Sequence, residues 1–158
     1  MHIRDAQEED LIPVYQLIRT VAMEHVLPTL NNCGKNYFLI NLEADVKEIF
    51  RSPHKGYLIA EEDDRIVGAC GFSRLGHVSH LFVASDLQGS SLGRHLMTAA
   101  YLYMDSEEVD LNASVNAVDF YRRIGFFCSG SEQEVNGIRY QPMYRQKPEM
   151  TVTEDIAD

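Results

Sequence analysis

No apolar run in this chain approaches the length of a membrane span. The opening stretch, MHIRDAQEEDL, is polar and acidic, so it does not read as a secretory signal. Cysteine is sparse. Cys33, Cys70 and Cys128 are odd in number, widely spaced and without a C-x-x-C pair, so they read as reduced thiols packed as small apolar groups. These absences lead to the expectation of a cytoplasmic protein with no membrane partner. Basic residues are also few: 14 Lys and Arg stand against 24 Asp and Glu, a net charge of −10. That balance argues against nucleic acid as the main partner. It is compatible with a cationic substrate such as an amine, and equally with plain solubility. Neither an internal repeat nor a low-complexity run is present.

What remains is an ordinary globular composition. The chain has 158 residues, 45% of them hydrophobic, which fits one domain. We take residues 1–147 as that domain and 148–158 as an acidic, flexible C-terminal tail. A short strand leads into a helix that Asp10 can cap, with Leu11, Tyr15, Ile18 and Ala22 at helical spacing. A polar loop is expected at 31–36 (NNCGKN). A second helix then carries Leu42, Val46, Ile49 and Phe50 and ends at Pro53. The period changes after it. Two strands flank a turn at Asp63-Asp64, and GHVSHLFVA reads as a third. From Leu92 a helix shows Leu92, Leu96, Ala99, Ala100 and Tyr103 on one side. Val109, Leu111, Ala113 and Val115 alternate with polar residues as a strand does. NAVDFYRRIG is a compact helix, with Asn116 as cap, Asp119 in a capping-box position and Gly125 as its end. A hairpin turned by Asn136-Gly137 closes the pattern. The order β-α-α-β-β-β-α-β-α-β-β predicts an α/β (α+β) fold, with parallel pairing around the two later helices.

The segment DLQGSSLGRHLM, residues 86–97, carries the first functional signal. A strand feeds it and a helix leaves it. Free N–H groups and the positive end of a helix dipole therefore converge there, which suits a phosphate. Gly89 and Gly93 allow close approach, and Arg94 adds a charge. The same residues serve equally well as a plain strand-to-helix turn. The segment is neither a Walker A loop, since no Gly-Lys-Ser/Thr follows, nor a Rossmann G-x-G-x-x-G.

Taken with LNASVNAVDFYRRIGF, one strand and one helix further on, this segment resembles the GNAT superfamily of N-acetyltransferases. Gln88-Gly89-Ser90-Ser91-Leu92-Gly93 matches the family's Q/R-x-x-G-x-G/A segment, introduced by Leu81-Phe82-Val83. Asn116, Phe120, Tyr121, Gly125 and Phe126 match its second motif in loose form. The run Ala113 to Phe126, with the later NGIRYQPM, is most similar to the small bacterial ElaA-like and YjcF-like branches. The resemblance covers residues 57–143 well and the first helices more loosely. It implies a mixed central sheet of about six or seven strands flanked by about four helices. It also implies acetyl-CoA as co-substrate, held by Leu81, Phe82, Val83, Gln88, Gly89, Ser90, Ser91, Leu92, Gly93, Arg94 and, secondarily, Asn116. Ser91 departs from the pattern, where glycine is usual. A positive φ there would strain it; otherwise its hydroxyl can reach a phosphate oxygen.

Transfer of acetyl from a thioester to an amine needs a base, an oxyanion donor and an acid. The resemblance implies a backbone N–H near Val83 for the oxyanion and Tyr121 for the acid. His77 is the candidate base, acting directly or through water, and some family branches place a glutamate there. It is expected on the same face as Ser79 and Leu81, with His80 on the opposite face, so that the two histidines share no metal. No metal is expected. Glu24, Asp45 and Glu48 can attract an amine or form a solvated face. The function implied is an acetyl-CoA-dependent N-acetyltransferase acting on an amine acceptor, with room for a homodimer. The alternative is a non-catalytic acyl-CoA-binding sensor or interaction module.

Overall fold

The computed structural model describes residues 1–149. Nearly all of the expected C-terminal tail lies outside the described residues. The elements are β1 (His2–Asp5), α1 (Leu11–His25), α2 (Asn32–Arg51), β2 (Lys55–Glu62), β3 (Arg65–Ser73) and β4 (His77–Val83). They continue with α3 (Leu92–Tyr101), β5 (Glu108–Ser114), α4 (Val118–Arg123), β6 (Phe127–Cys128), β7 (Gln133–Val135) and β8 (Ile138–Gln146). One sheet of eight strands runs β1-β2-β3-β4-β5-β8-β6, with β7 paired to β8. Among the described residues, four α-helices flank it. The two shortest strands, β6 and β7, bring the count above the six or seven expected.

Alternation along each strand divides the core in two. Leu58, Cys70, Val78, Leu111 and Met143 meet α3 through Leu96 and Met97 on one face. Tyr57, Ile59 and Ala69 meet Val14 and Ile18 of α1 and Leu42, Val46 and Ile49 of α2 on the other. Every strand pair is antiparallel except β4–β5, which the α3 crossover makes parallel. The expectation of parallel pairing around both later helices is corrected here. After α4 the chain passes through β6 and β7 and returns along β8, antiparallel to β5.

Three local expectations are also corrected. Residues 31–36 are not a loop but the capped start of α2: the Asn31 side chain accepts from the Gly34 N–H at 2.8 Å. Gly34 looks like a breaker in sequence. Its place is explained by the hairpin, because a Cβ there would lie 2.0 Å from the Gly137 carbonyl oxygen. Asp10 does not cap α1. Its carboxylate pairs with Arg4 at 2.8 Å and accepts from the Gln7 N–H at 2.7 Å. Asn116 does not cap α4; it donates to the His25 carbonyl at 2.7 Å, tying the end of α1 to the loop after β5.

Candidate functional site

β4 and β5 pair only at His77–Asp110 and Val78–Leu111, and then part. Which backbone groups line the resulting gap follows from the ladder on the other side. The Ala84 N–H donates to Val67 of β3 at 2.8 Å, so Phe82 also turns its polar groups toward β3. Leu81 and Val83, one step out of phase, turn theirs to the gap. The side-chain amide of Gln88 donates to the Val83 carbonyl there at 3.1 Å.

Beyond the gap the chain turns through Ser85–Leu87 into α3. Gly89 has φ +85° and Ser91 φ +68°, so the glycine-type position of the motif is left-handed and occupied by serine. Among the described residues, the N–H groups of Gly89, Ser91, Leu92, Gly93 and Arg94 donate to no protein acceptor. A helix start leaves such donors open by construction. Gly93 fits tightly, since a Cβ there would lie 3.0 Å from the Phe120 ring.

These elements enclose a cavity of about 550 Å³. Leu81, Phe82, Val83, Gln88, Gly89, Ser91, Leu92, Gly93, Arg94, Asn116 and Tyr121 all line it. Ser90 does not: its hydroxyl turns back to the Leu87 carbonyl. His77 does not either. The sequence reading missed Arg123 and the end of α1, where Val21, His25 and Val26 close over the cavity. Arg123 lies two residues after Tyr121 in the motif helix, which was an available signal; nothing local pointed to His25. Arg94 and Arg123 form no ion pair among the described residues, whereas the nearby acids are engaged. Asp86 pairs with Arg65 at 3.2 Å and Asp119 with Arg122 at 3.6 Å. Among the described residues, two cations without an ion pair and a row of open N–H groups thus face one cavity in a chain of net charge −10. The donor set suits a pyrophosphate.

Tyr121 is 8% exposed and packs edge-on between Phe120 and Phe126. Burial pushes its phenol well above the ordinary tyrosine value, so it stays protonated and able to donate.

A second cavity, of about 250 Å³, lies at the paired end of β4 and is lined by Asp45, Glu48, His77, Ser79, His80 and Asn112 among others. It corrects the expected facing of the histidines. β4 pairs Val78 with Phe72 but His80 with Gly71, so Ser79 is an inserted bulge residue. The extra residue reverses the alternation. His77 and His80 come to one face with Phe82, toward α1 and α2, while Leu81 turns to the α3 side. The Nδ1 atom of His77 lies 2.5 Å from Asp110 Oδ1. The Nδ1 atom of His80 lies 2.7 Å from the Tyr57 hydroxyl, and burial lowers the His80 pKa to about 4. Among the described residues no group of three or more His, Cys, Asp or Glu side chains could hold a metal ion, and no helix is long and apolar enough to cross a membrane.

Comparison with known proteins agrees with this architecture. A sequence model described as an acetyltransferase (GNAT) domain matches residues 26–147. No curated protein matches. The fold is similar to a GCN5-related N-acetyltransferase from Rhodopseudomonas palustris, at 18% identity and TM-score 0.76 over 92% of this chain and 94% of that one. It is also similar to the PaiA N-acetyltransferase of Thermoplasma acidophilum, solved with coenzyme A, at 15% identity and TM-score 0.72 over 92% and 98%. An aminoglycoside 6'-N-acetyltransferase complexed with coenzyme A gives 13% identity and TM-score 0.70 over 96% and 99%. With 122 consecutive residues under one family model and the parted β4–β5 pair at its centre, the chain belongs to the GNAT acetyltransferase family.

Proposed function

We propose that this protein is an acetyl-CoA-dependent N-acetyltransferase that moves acetyl directly to a primary amine of a small molecule or peptide within a ternary complex. The observation that carries the reading is the 550 Å³ cavity, where backbone N–H groups, Arg94 and Arg123, all without a protein partner among the described residues, face one end of the β4–β5 gap and Tyr121 faces the same space. Coenzyme A in two of the similar structures supports it. Within the family, the NGIRYQPM hairpin supports a place beside the ElaA-like and YjcF-like branches. Three free thiols suit a reducing, cytoplasmic setting.

Bound there, acetyl-CoA supplies the activated acyl group. The loop N–H groups of Gly89, Ser91, Gly93 and Arg94, with the Arg123 guanidinium, hold its phosphates. Gap-facing N–H groups of Leu81 and Val83 stabilise charge developing on the acyl oxygen; such fixed donors act without reorganising. Tyr121 gives a proton to the departing sulfur. His77 accepts the proton of the amine. Asp45, which lines the second cavity beside the Glu48–Lys55 pair, attracts a cationic acceptor.

The test is thermal and then kinetic. Acetyl-CoA and desulfo-CoA should each raise Tm, since a ligand selective for the folded state stabilises it by mass action. An acceptor screen read by thiol release should then find amines that turn over. Absence of any Tm shift at millimolar cofactor would remove the reading. A Tm shift with no thiol release from any amine would leave the non-catalytic acyl-CoA sensor.

A further inference from the structure

His77 and Asp110 face each other on the first of the two paired rungs of β4 and β5, just before the strands part. A carboxylate can only accept a hydrogen bond. With Asp110 at its Nδ1, His77 therefore carries its proton on Nδ1 and keeps the lone pair on Nε2. His80 is arranged the other way. Tyr57 is buried, its phenol stays protonated, and among the described residues its hydroxyl has no acceptor but His80 Nδ1. Tyr57 thus donates, and the hydrogen of the neutral His80 ring sits on Nε2. The bulge at Ser79 brings both imidazoles to one cavity, yet only His77 presents a lone pair.

We infer that Asp110 is a positioning residue: it holds His77 in the tautomer with Nε2 free and stabilises the imidazolium formed when His77 takes a proton from the acceptor amine. The inference rests on the acetyltransferase reading above. The acceptor arrives as an ammonium and first releases one proton to solvent; the lone pair of the neutral amine then forms the new C–N bond to the acyl carbon, and one of its N–H protons passes to His77 Nε2, directly or through one water. The C–S bond breaks, sulfur leaves with its pair and takes the Tyr121 proton, and solvent returns the His77 proton to Tyr121. Amine and thioester thereby give amide and thiol.

Asp110 of β5 is in direct contact with His77, and Asp45 and Glu48 of α2 and His80 of β4 line the same cavity; Glu48 is paired with Lys55 of β2 at 2.9 Å. Asp110→Asn keeps the size of the side chain and removes the carboxylate that accepts from His77 Nδ1. Plateau kcat should fall by about 10-fold or more, as losses of orienting partners do. Acetyl-CoA affinity and Tm should hold, and Asp110→Glu should restore part of the rate. An unchanged kcat in Asp110→Asn, where the wild type does transfer acetyl, would overturn the inference while leaving the acetyltransferase reading intact. Imidazole ¹⁵N NMR of the free protein tests it without any turnover. His77 should be the Nδ1–H tautomer in the wild type and shift toward Nε2–H in Asp110→Asn; an Nε2–H wild type would overturn it.

Discussion

Gln88 reaches back from the motif loop to donate its side-chain amide to the Val83 carbonyl, 3.1 Å away on the open edge of β4. The first residue of the motif therefore fastens the loop to the strand whose neighbour has left. Gln88→Ala removes a hydrogen bond of about 1 kcal/mol net. Tm should fall by about 2–4 °C. Acetyl-CoA affinity, measured by calorimetry, should weaken several-fold, because the loop donors lose their anchor. Full affinity in this variant would show that the loop holds its shape without the strand.

Ser91 holds a left-handed backbone at φ +68°, where a side chain costs about 1 kcal/mol or more. Ser91→Gly relieves that cost, and the larger entropy of the unfolded glycine chain offsets part of the gain. The expected result is a Tm equal to wild type or up to about 4 °C higher, with CoA binding kept or improved. Gly89→Glu should do the opposite to binding: it places a carboxylate before the open N–H groups at a backbone of φ +85°. Normal CoA binding by that variant would place the phosphates elsewhere.

Tyr121→Phe keeps the ring between Phe120 and Phe126 and removes only the hydroxyl. Turnover should fall by about 10²-fold, the low end for a general acid, because a CoA thiolate is already a fair leaving group. Acetyl-CoA affinity and Tm should change little. Burial holds the phenol above its ordinary range, so Tyr121 should contribute no alkaline limb below pH 10. Unchanged kcat on a step limited by chemistry would return Tyr121 to packing alone.

His80 gives the fold a pH dependence of its own. Its pKa is lowered to about 4 by burial, with His77 adding to the effect, while an unfolded histidine titrates near ~6.5. Between those values the unfolded chain binds one more proton than the native one, so stability rises with pH. This contribution is fully present above pH ~6.5 and is lost as pH falls toward about 4. Denaturant titrations of the wild type should show that slope, and His80→Gln should flatten it. Asp10 acts in a lower window. Its pair with Arg4 holds its carboxyl below the ordinary value, so its contribution persists until pH falls below the usual carboxylate range. An identical slope in wild type and His80→Gln would show that His80 is free to protonate in the native state.

Much of this molecule is written locally. The spacing of Leu42, Val46 and Ile49, the alternation from Val109 to Ala113, and the Asn136-Gly137 turn each bury one side of one element, and neighbours in sequence carry that information. The loop from Gln88 to Gly93 was legible as a tight turn for the same reason: small residues between a strand and a helix permit a close backbone path. What sequence could not decide depended on contacts between distant segments. Gly34 belongs to a helix because Gly137, 103 residues later, needs the space a side chain would fill. The partner of β5 was set by where β8 returns, not by the helix before it. A single inserted residue, Ser79, turned His77 toward α2, and period-2 alternation cannot reveal an insertion whose only sign is the register with β3. The parting of β4 from β5, the joining of Arg123 to Arg94 across one cavity, and the meeting of Asp110 with His77 arise from packing alone. Composition and spacing determined which groups this chain owns; tertiary structure decided which of them face one another, because pairing and desolvation act between elements rather than along the chain.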